Sequence, residues 1–322
     1  MTEKSLNTFQ HFSVLGFEAP REVLTKTDGI YVDATFGRGG HTRTLLSLLD
    51  ENAHVYAFDR DPQAVEVAKT IDDKRFTIIH APFSRMKEEL AKLGVTKVDG
   101  VLMDIGVSSP QIDDAERGFS FRMDGPLDMR MDTTTGVTAA EWINNAQQNE
   151  IERVLRVYGE EKCAFRIAKA ICARRKEKPF TRTGDLADVI GANVTRSKKD
   201  AGQNPATRSF QAIRIHINAE LKELEMALDD AGQLLMEGGK LAVISFHSLE
   251  DRIVKHFLDA GAHPEKGIDA RIALTQDQLP QPLWVDVKRI KPSQEECEVN
   301  ARSRSAVMRS AVRTAKAWEA DE

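Results

Sequence analysis

Two stretches hold most of the side chains able to do chemistry. The first is Ile30-Tyr31-Val32-Asp33-Ala34-Thr35-Phe36-Gly37-Arg38-Gly39-Gly40-His41-Thr42. Its apolar, β-branched half reads as a buried strand, its second half is a glycine cluster, and Thr42 to Leu49 reads as a helix. Strand, glycine turn and helix make a nucleotide-binding crevice, because glycine lets the backbone approach a ligand and the helix start offers free N–H groups. The second is Asp104-Ile105-Gly106-Val107-Ser108-Ser109-Pro110-Gln111. It pairs a carboxylate with two hydroxyls just after an apolar strand.

A glycine turn alone is a weak signal. The next strand strengthens it. His54-Val55-Tyr56-Ala57-Phe58 ends in Asp59, about 20 residues past the turn, where a carboxylate takes ribose hydroxyls. The ligand is therefore read as a nucleoside-bearing cofactor. NAD and S-adenosylmethionine both fit this much. The pattern Gly37-x-Gly39-Gly40 lacks the third glycine of the dinucleotide fingerprint, since position 42 is Thr, and Asp33 suits a cationic ligand end or the loop amides. Both features favour S-adenosylmethionine.

The elements that must position these residues alternate. Phe76-Thr77-Ile78-Ile79-His80 reads as a third strand leading to Phe83, an aromatic placed to flank an adenine or to sit in the core. Val98 to Met103 is the fourth strand, ending at Asp104. In an open α/β sheet ligands lie beyond the carboxyl ends of strands. Asp59, Phe83 and Asp104 fall at three such ends, so one site is the simplest reading. After Gln111 the alternation stops. Helices are expected over Ala139–Asn145, Gln148–Tyr158, Lys162–Arg175 and Gly184–Ile190, the last capped from Thr181-Arg182-Thr183. The loop Phe119 to Arg130 is read either as a flap over a substrate base or as a structural cap. The α/β pattern returns with one long helix, Ala206 to Leu235, a strand over Leu241–Phe246, and a helix capped by Ser248. His247 beside that cap is read as structural. The last strands are Trp284–Ile290 and Ala306–Val312. The expected organisation is an α/β domain over 1–112 and 206–322, interrupted by a mostly helical domain over 113–205 for substrate recognition.

The chain has 322 residues, 41% hydrophobic and 30% charged, and no apolar run near the 18 or more residues of a membrane span. Three cysteines without C-x-x-C spacing argue for a reducing, cytoplasmic setting and against zinc, so no metal is expected. Net charge is −5, unevenly spread. Residues 151–214 hold 15 Lys and Arg against 7 Asp and Glu. Residues 299–318 hold five basic residues and no acidic one. Two basic segments on an acidic body read either as a phosphate-binding face or as solvated helix faces.

Five motifs in order carry a resemblance. They are Asp33-Ala-Thr-Phe-Gly-Arg-Gly-Gly-His41, Asp59-Arg-Asp-Pro62, Asp104-Ile-Gly-Val-Ser-Ser-Pro-Gln111, Asp124-Gly-Pro-Leu-Asp-Met-Arg-Met131 and Ser245-Phe-His-Ser-Leu-Glu-Asp-Arg252. With Thr207–Arg214 and Arg302–Ala306 they resemble, over nearly the whole chain, the bacterial rRNA small-subunit methyltransferase H (MraW) family. Ala301 stands where the family usually has Pro, and Gly16 where it has a second Leu. The resemblance implies a class I (Rossmann-like) methyltransferase fold of seven strands with a helical insert. It implies S-adenosylmethionine as methyl donor and N4 of a cytidine in the decoding region of 16S rRNA as acceptor. The cofactor contacts it implies are Gly39, Gly40, His41, Asp59, Phe83, Asp104 and Gln111. Asp104, Ser108 and Ser109 are the candidates for orienting the target amine. Arg130, Arg302 and Arg304 are the candidates for RNA contact. The expected partner is 16S rRNA or the small ribosomal subunit, with no membrane; a homodimer stays open. The rivals are a nicotinamide dehydrogenase, a methyltransferase acting on DNA or another acceptor, and a non-catalytic RNA-binding assembly factor.

Overall fold

The computed structural model describes residues 13–195, 204–267, 275 and 278–318. His11, Phe12, Gly202 and Gln203, the last two at the expected end of the insert, lie outside them. The chain divides into two compact units. One holds the described residues up to Asp59, Gln63–Ile105 and the described residues from Leu224 onward; the other holds Arg60–Pro62 and Gly106–Glu223.

The first unit is a seven-stranded sheet: β1 Ile30–Asp33, β2 His54–Asp59, β3 Phe76–His80, β4 Val98–Asp104, β5 Leu235–Ser245, β6 Trp284–Ile290 and β7 Val307–Arg313. The order is β3-β2-β1-β4-β5-β7-β6. β7 runs antiparallel to both its neighbours, and β1 to β5 pair in parallel. This is the α/β, Rossmann-like order that the resemblance implies. The winding reverses between β1 and β4, which fixes the crevice outside their carboxyl ends as the place for a ligand.

Strand composition follows burial on two faces. β4 is almost wholly buried, as a central parallel strand must be; Val98, Val101, Leu102 and Met103 are its apolar residues, and the buried Asp99 accepts from Ile30 N at 2.9 Å. Alternate residues go to opposite faces. Val32, Val101, Met103 and Val243 pack under α4 Met86–Lys92, α11 Glu220–Leu234 and α12 Ser248–Ala262. Tyr31, Val55, Leu102 and Ile244 pack under α1 Glu18–Val23 and α2 Gly40–Leu48. Each fully buried Leu, Ile or Val adds about 1.5–3 kcal/mol relative to exposure. A short helix, α3 Pro62–Ala68, follows β2. The edge strand β6 exposes Asp286, Lys288 and Arg289, charges that discourage pairing with another chain.

The second unit is helical: α5 Ser109–Asp113, α6 Ala139–Asn145, α7 Gln148–Gly159, α8 Ala164–Arg174, α9 Thr183–Asn193 and α10 Thr207–Ile217. Ile143, Ile151, Leu155, Ile167, Ile171, Leu186 and Ile190 make its core together with Phe210, Ala212 and Ile213 of α10. That packing carries α10 into the helical unit, although the sequence reading ends the insert at residue 205. One strand-like contact, Pro126 with Arg182, is an isolated bridge. Among the described residues no helix is long and apolar enough to cross a membrane.

Three local readings are corrected. The long helix over 206–235 breaks in two at Asn218 and Ala219, where Ala219 takes φ +51°. Asn218 is buried. Its Nδ2 donates to Met129 O at 2.8 Å and Arg214 O at 3.0 Å, and its Oδ1 accepts from Met131 N at 2.8 Å. Those bonds hold better in the break than a continued helix would allow. The α12 cap is His247, in a capping box with Glu250, and not Ser248. The start of α9 takes no bond from its own N-cap side chain; Asp124 Oδ1 accepts from Gly184 N at 2.9 Å instead.

Candidate active site

The β1–α2 turn carries the glycine cluster. Gly39 caps α2 in the left-handed region, φ +76°. A Cβ there would also lie 2.7 Å from the Phe36 ring and the Arg43 guanidinium, so only glycine fits. The turn is bound to its neighbours at both ends. Gly37 N donates to Asp59 Oδ2 at 2.8 Å, and Asp104 N donates to Thr35 Oγ1 at 2.6 Å. The ends of β1, β2 and β4 are thereby tied into one rim.

Asp33 closes the turn from below. It is wholly buried, accepts from Thr42 Oγ1 at 2.6 Å and from Thr35 N at 3.2 Å, and burial raises its carboxyl above the ordinary value. His41 sits one residue into α2 and is buried. Its Nε2 lies 3.0 Å from Val14 O, and Nδ1 lies 3.8 Å from Asp104 Oδ2. Because a carbonyl only accepts, Nε2 carries a proton and Nδ1 is the nitrogen that faces Asp104.

Asp104 is the least satisfied of these groups. Its side chain is half-buried, and Oδ1 is shut off from solvent without a hydrogen-bond partner. Burial pushes its carboxyl up to about 6; His41 and Arg302 pull it down, while Asp33 and Glu250 push it further up. A carboxylate with a buried, orphaned oxygen at the mouth of a parallel sheet is suited to accept a hydrogen bond from a ligand. Phe83 follows β3, packed half-buried against the core with its backbone starting a 3₁₀ turn.

Gly39, Gly40, His41, Asp59 and Asp104 are therefore gathered on the carboxyl edge of the sheet, with Phe83 one strand beyond. Arg302 is half-buried in the turn Ala301–Ser305, and its charge acts on Asp104. Arg304 is exposed and donates to Cys297 O at 3.1 Å. In this unit the sequence reading passed over Thr35, whose hydroxyl fixes the start of the Asp104 loop. Nothing in a lone Thr announces that role.

The second unit organises the other candidates. Ser108 is the N-cap of α5, in a capping box with Gln111; Ser108 N donates to Gln111 Oε1 at 3.0 Å. Gln111 is buried and its Nε2 donates to Asp61 Oδ2 at 2.8 Å. The same oxygen accepts from Arg117 Nη1 at 2.8 Å. Arg117, also buried, extends Nη2 to Arg130 O at 3.1 Å and Met131 O at 2.8 Å. Asp61 and Arg117 were not singled out from sequence, although Asp61 lies inside the quoted Asp59–Pro62 motif. The loop through Arg130 is thus pinned, with Leu127 and Met129 wholly buried. Arg130 forms a bidentate pair with Asp128, at 2.8 Å to each oxygen. Ser109 opens α5 half-buried. Among the described residues no group of three or more His, Cys, Asp or Glu is arranged to hold a metal.

The model of the MraW methylase family matches residues 8–314. The Ribosomal RNA small subunit methyltransferase H of Burkholderia ambifaria is 53% identical over 311 residues, 95% of this chain and 98% of that protein. The protein of the same name from Chromobacterium violaceum is 52% identical over 316 residues, 98% of each. Among solved structures, a putative rRNA-methylase from Clostridium thermocellum aligns with 16% identity and a TM-score of 0.44, covering 94% of this chain and 99% of its own. With a family model spanning almost every residue and relatives more than half identical end to end, the chain belongs to the MraW methylase family.

Proposed function

We propose that this methylase transfers the methyl group of S-adenosylmethionine to the exocyclic N4 of a cytidine in the decoding region of small-subunit 16S rRNA. Methylation of small-subunit ribosomal RNA follows the relatives' activity; the atom and the region are the finer part of the proposal. The observation that carries the site is Asp104, with its buried, unpartnered oxygen at the sheet's switch point.

The residues present fit the cofactor. S-adenosylmethionine supplies an electrophilic methyl group on a sulfonium, together with an ammonium, two ribose hydroxyls and an adenine. Asp59 receives the ribose hydroxyls, the backbone of Gly39 and Gly40 gives room for close approach, and Phe83 flanks the adenine. The carboxylates at the rim, Asp104 foremost, complement the positive charge.

An exocyclic amine is a poor nucleophile because its lone pair is delocalised into the ring. The protein's task is to fix N4 in line and to accept its N–H protons. Asp104 is suited to this: above pH about 6 its carboxylate is ionised, and the orphaned oxygen accepts without first surrendering another bond. Ser108, held in its capping box, sets the start of α5, which Ser109 opens. Gln111 supports the same turn through Asp61. The target base lies in folded rRNA and must be splayed out for reaction.

An acceptor panel tests this reading. Purified protein and methyl-labelled S-adenosylmethionine are offered small ribosomal subunits, naked 16S rRNA and DNA. Label in rRNA alone is expected. Label in DNA but not rRNA would move the acceptor.

A further inference from the structure

Within the helical unit, residues 151–214 hold 15 Lys and Arg against 7 Asp and Glu, and the structure shows which of these cations are uncommitted. Residues 151–178 hold nine Lys and Arg against four Glu. Most of the cations are engaged. Arg156 pairs with Glu152, and Arg166 donates to Asn193 O and Thr195 Oγ1. Arg174 and Arg175 donate to the carbonyls of Lys178 and Ile143, and Lys178 pairs with Asp185. Lys162, Lys169 and Lys176 are exposed, as is Arg153 on α7, and the side chains of these four have no hydrogen-bond or ion-pair partner among the described residues.

Ala164, Ile167, Ala168 and Ile171 turn the inner face of α8 into the core. Phe165, Lys169 and Ala173 recur at four-residue spacing on the opposite face, and Lys162 and Lys176 stand in the turns that flank the helix, continuing the same three- and four-residue spacing. At 1.5 Å per residue the stripe runs about 20 Å along the helix and its flanking turns. Between Lys162 and Lys169 stands Phe165, with 54% of its surface exposed. A single exposed aromatic is unremarkable by itself. An aromatic set among unpaired lysines is the combination that holds a nucleic-acid strand: cations for phosphates, a ring for an unstacked base.

We infer that the Lys162–Phe165–Lys169–Lys176 stripe of α8 binds the RNA acceptor, its lysines on backbone phosphates and Phe165 stacked on an unpaired base. This rests on the reading of rRNA as substrate and gives that substrate a docking surface on the helical unit. The stripe lies apart, in residues and in chemistry, from the Arg130 pair with Asp128, whose charge is already matched.

Binding of the full chain to 16S rRNA is measured across salt from about 50 to 200 mM, for wild type, the triple variant K162Q/K169Q/K176Q, Phe165→Ala and Phe165→Trp. The substitutions are on the surface, and a thermal melt of each checks the fold. The triple variant is expected to raise Kd about tenfold or more. It should also flatten the slope of log Kd against log salt by about 2, since each lost single-strand phosphate contact removes about 0.7. KM for RNA should rise while the affinity for S-adenosylmethionine stays. Phe165→Ala should raise Kd about fivefold without altering the slope, and Phe165→Trp should restore it. Wild-type Kd and slope in both the triple variant and Phe165→Ala would overturn the inference. So would unchanged RNA binding with a changed elution volume on size exclusion, which would make the stripe a contact between two copies of this chain. If wild-type protein binds rRNA without methylating it, the acceptor reading fails and the stripe stands. If it methylates rRNA and the triple variant binds as wild type does, the stripe fails alone.

Discussion

His41 Nδ1 faces Asp104 Oδ2 at 3.8 Å, while Val14 O holds the other ring nitrogen at 3.0 Å. The imidazole is oriented by the carbonyl, and any proton it gains on Nδ1 lands beside the carboxylate. That arrangement lowers the Asp104 carboxyl against the burial that raises it. In wild type the acidic limb of the kcat–pH profile is expected near pH 6. His41→Ala removes the opposing charge, so the limb should move to higher pH. A limb in the same place, measured under single-turnover conditions, would break the link between the two residues.

Asp104→Asn should lower kcat by about a hundredfold and, at neutral pH, stabilise the fold. The native carboxyl is raised from 3.8 to about 6, so the folded state binds the proton more tightly than the unfolded one. The stability this gives is complete below pH about 4 and lost as pH rises through 6. Asn carries no charge and avoids that loss. Unfolding free energies from denaturant melts should nearly match at pH 4 and diverge by about 2 kcal/mol in favour of the variant at pH 7. A variant less stable than wild type at pH 7 would contradict this.

Asp59 acts on the glycine turn and, in the proposal, on ribose. Asp59→Ala should raise the KM for S-adenosylmethionine about tenfold or more, the scale of a lost charged hydrogen bond, with a smaller change in kcat. Asp59→Asn keeps an acceptor for Gly37 N and should fall between the two. Equal KM values for all three would take Asp59 out of the binding site.

Arg117 and Asp61 form a buried ion pair in the helical unit. Arg117→Met leaves Asp61 charged and buried, with Gln111 still donating to it. Loss of one partner of such a pair costs about 3–5 kcal/mol, to be read from urea unfolding. Asp61→Asn paired with Arg117→Met should recover part of that loss, because the stranded charge is gone.

Much of the fold was legible because strands of a parallel sheet are rich in apolar and β-branched residues. Val98–Met103 and Phe76–His80 read as strands for that reason although Asp99 and Thr77 interrupt them, and the amphipathic pattern of Ala139–Asn145 marked its helix to the residue. The placement of the glycine cluster, Asp59 and Asp104 at the carboxyl ends of strands was legible because each directly follows an apolar run. What was hidden depends on contacts distant in sequence. Asn218 breaks a helix through bonds to Met129 and Met131, some 90 residues away, and neither Gly nor Pro marks the spot. Asp124 caps a helix 60 residues on. Arg130, a candidate for RNA contact in the sequence, is paired with Asp128, and α10, placed in the sheet domain by the sequence, turns its apolar face into the helical core.

The most direct test is single-turnover transfer from labelled S-adenosylmethionine to small ribosomal subunits taken from cells lacking this enzyme, followed by digestion of the rRNA and identification of the labelled nucleoside by mass. Label in N4-methylcytidine, fast with wild type and about a hundredfold slower with Asp104→Asn, is the expected result. Label in any other nucleoside, or an Asp104→Asn rate equal to wild type, would contradict it.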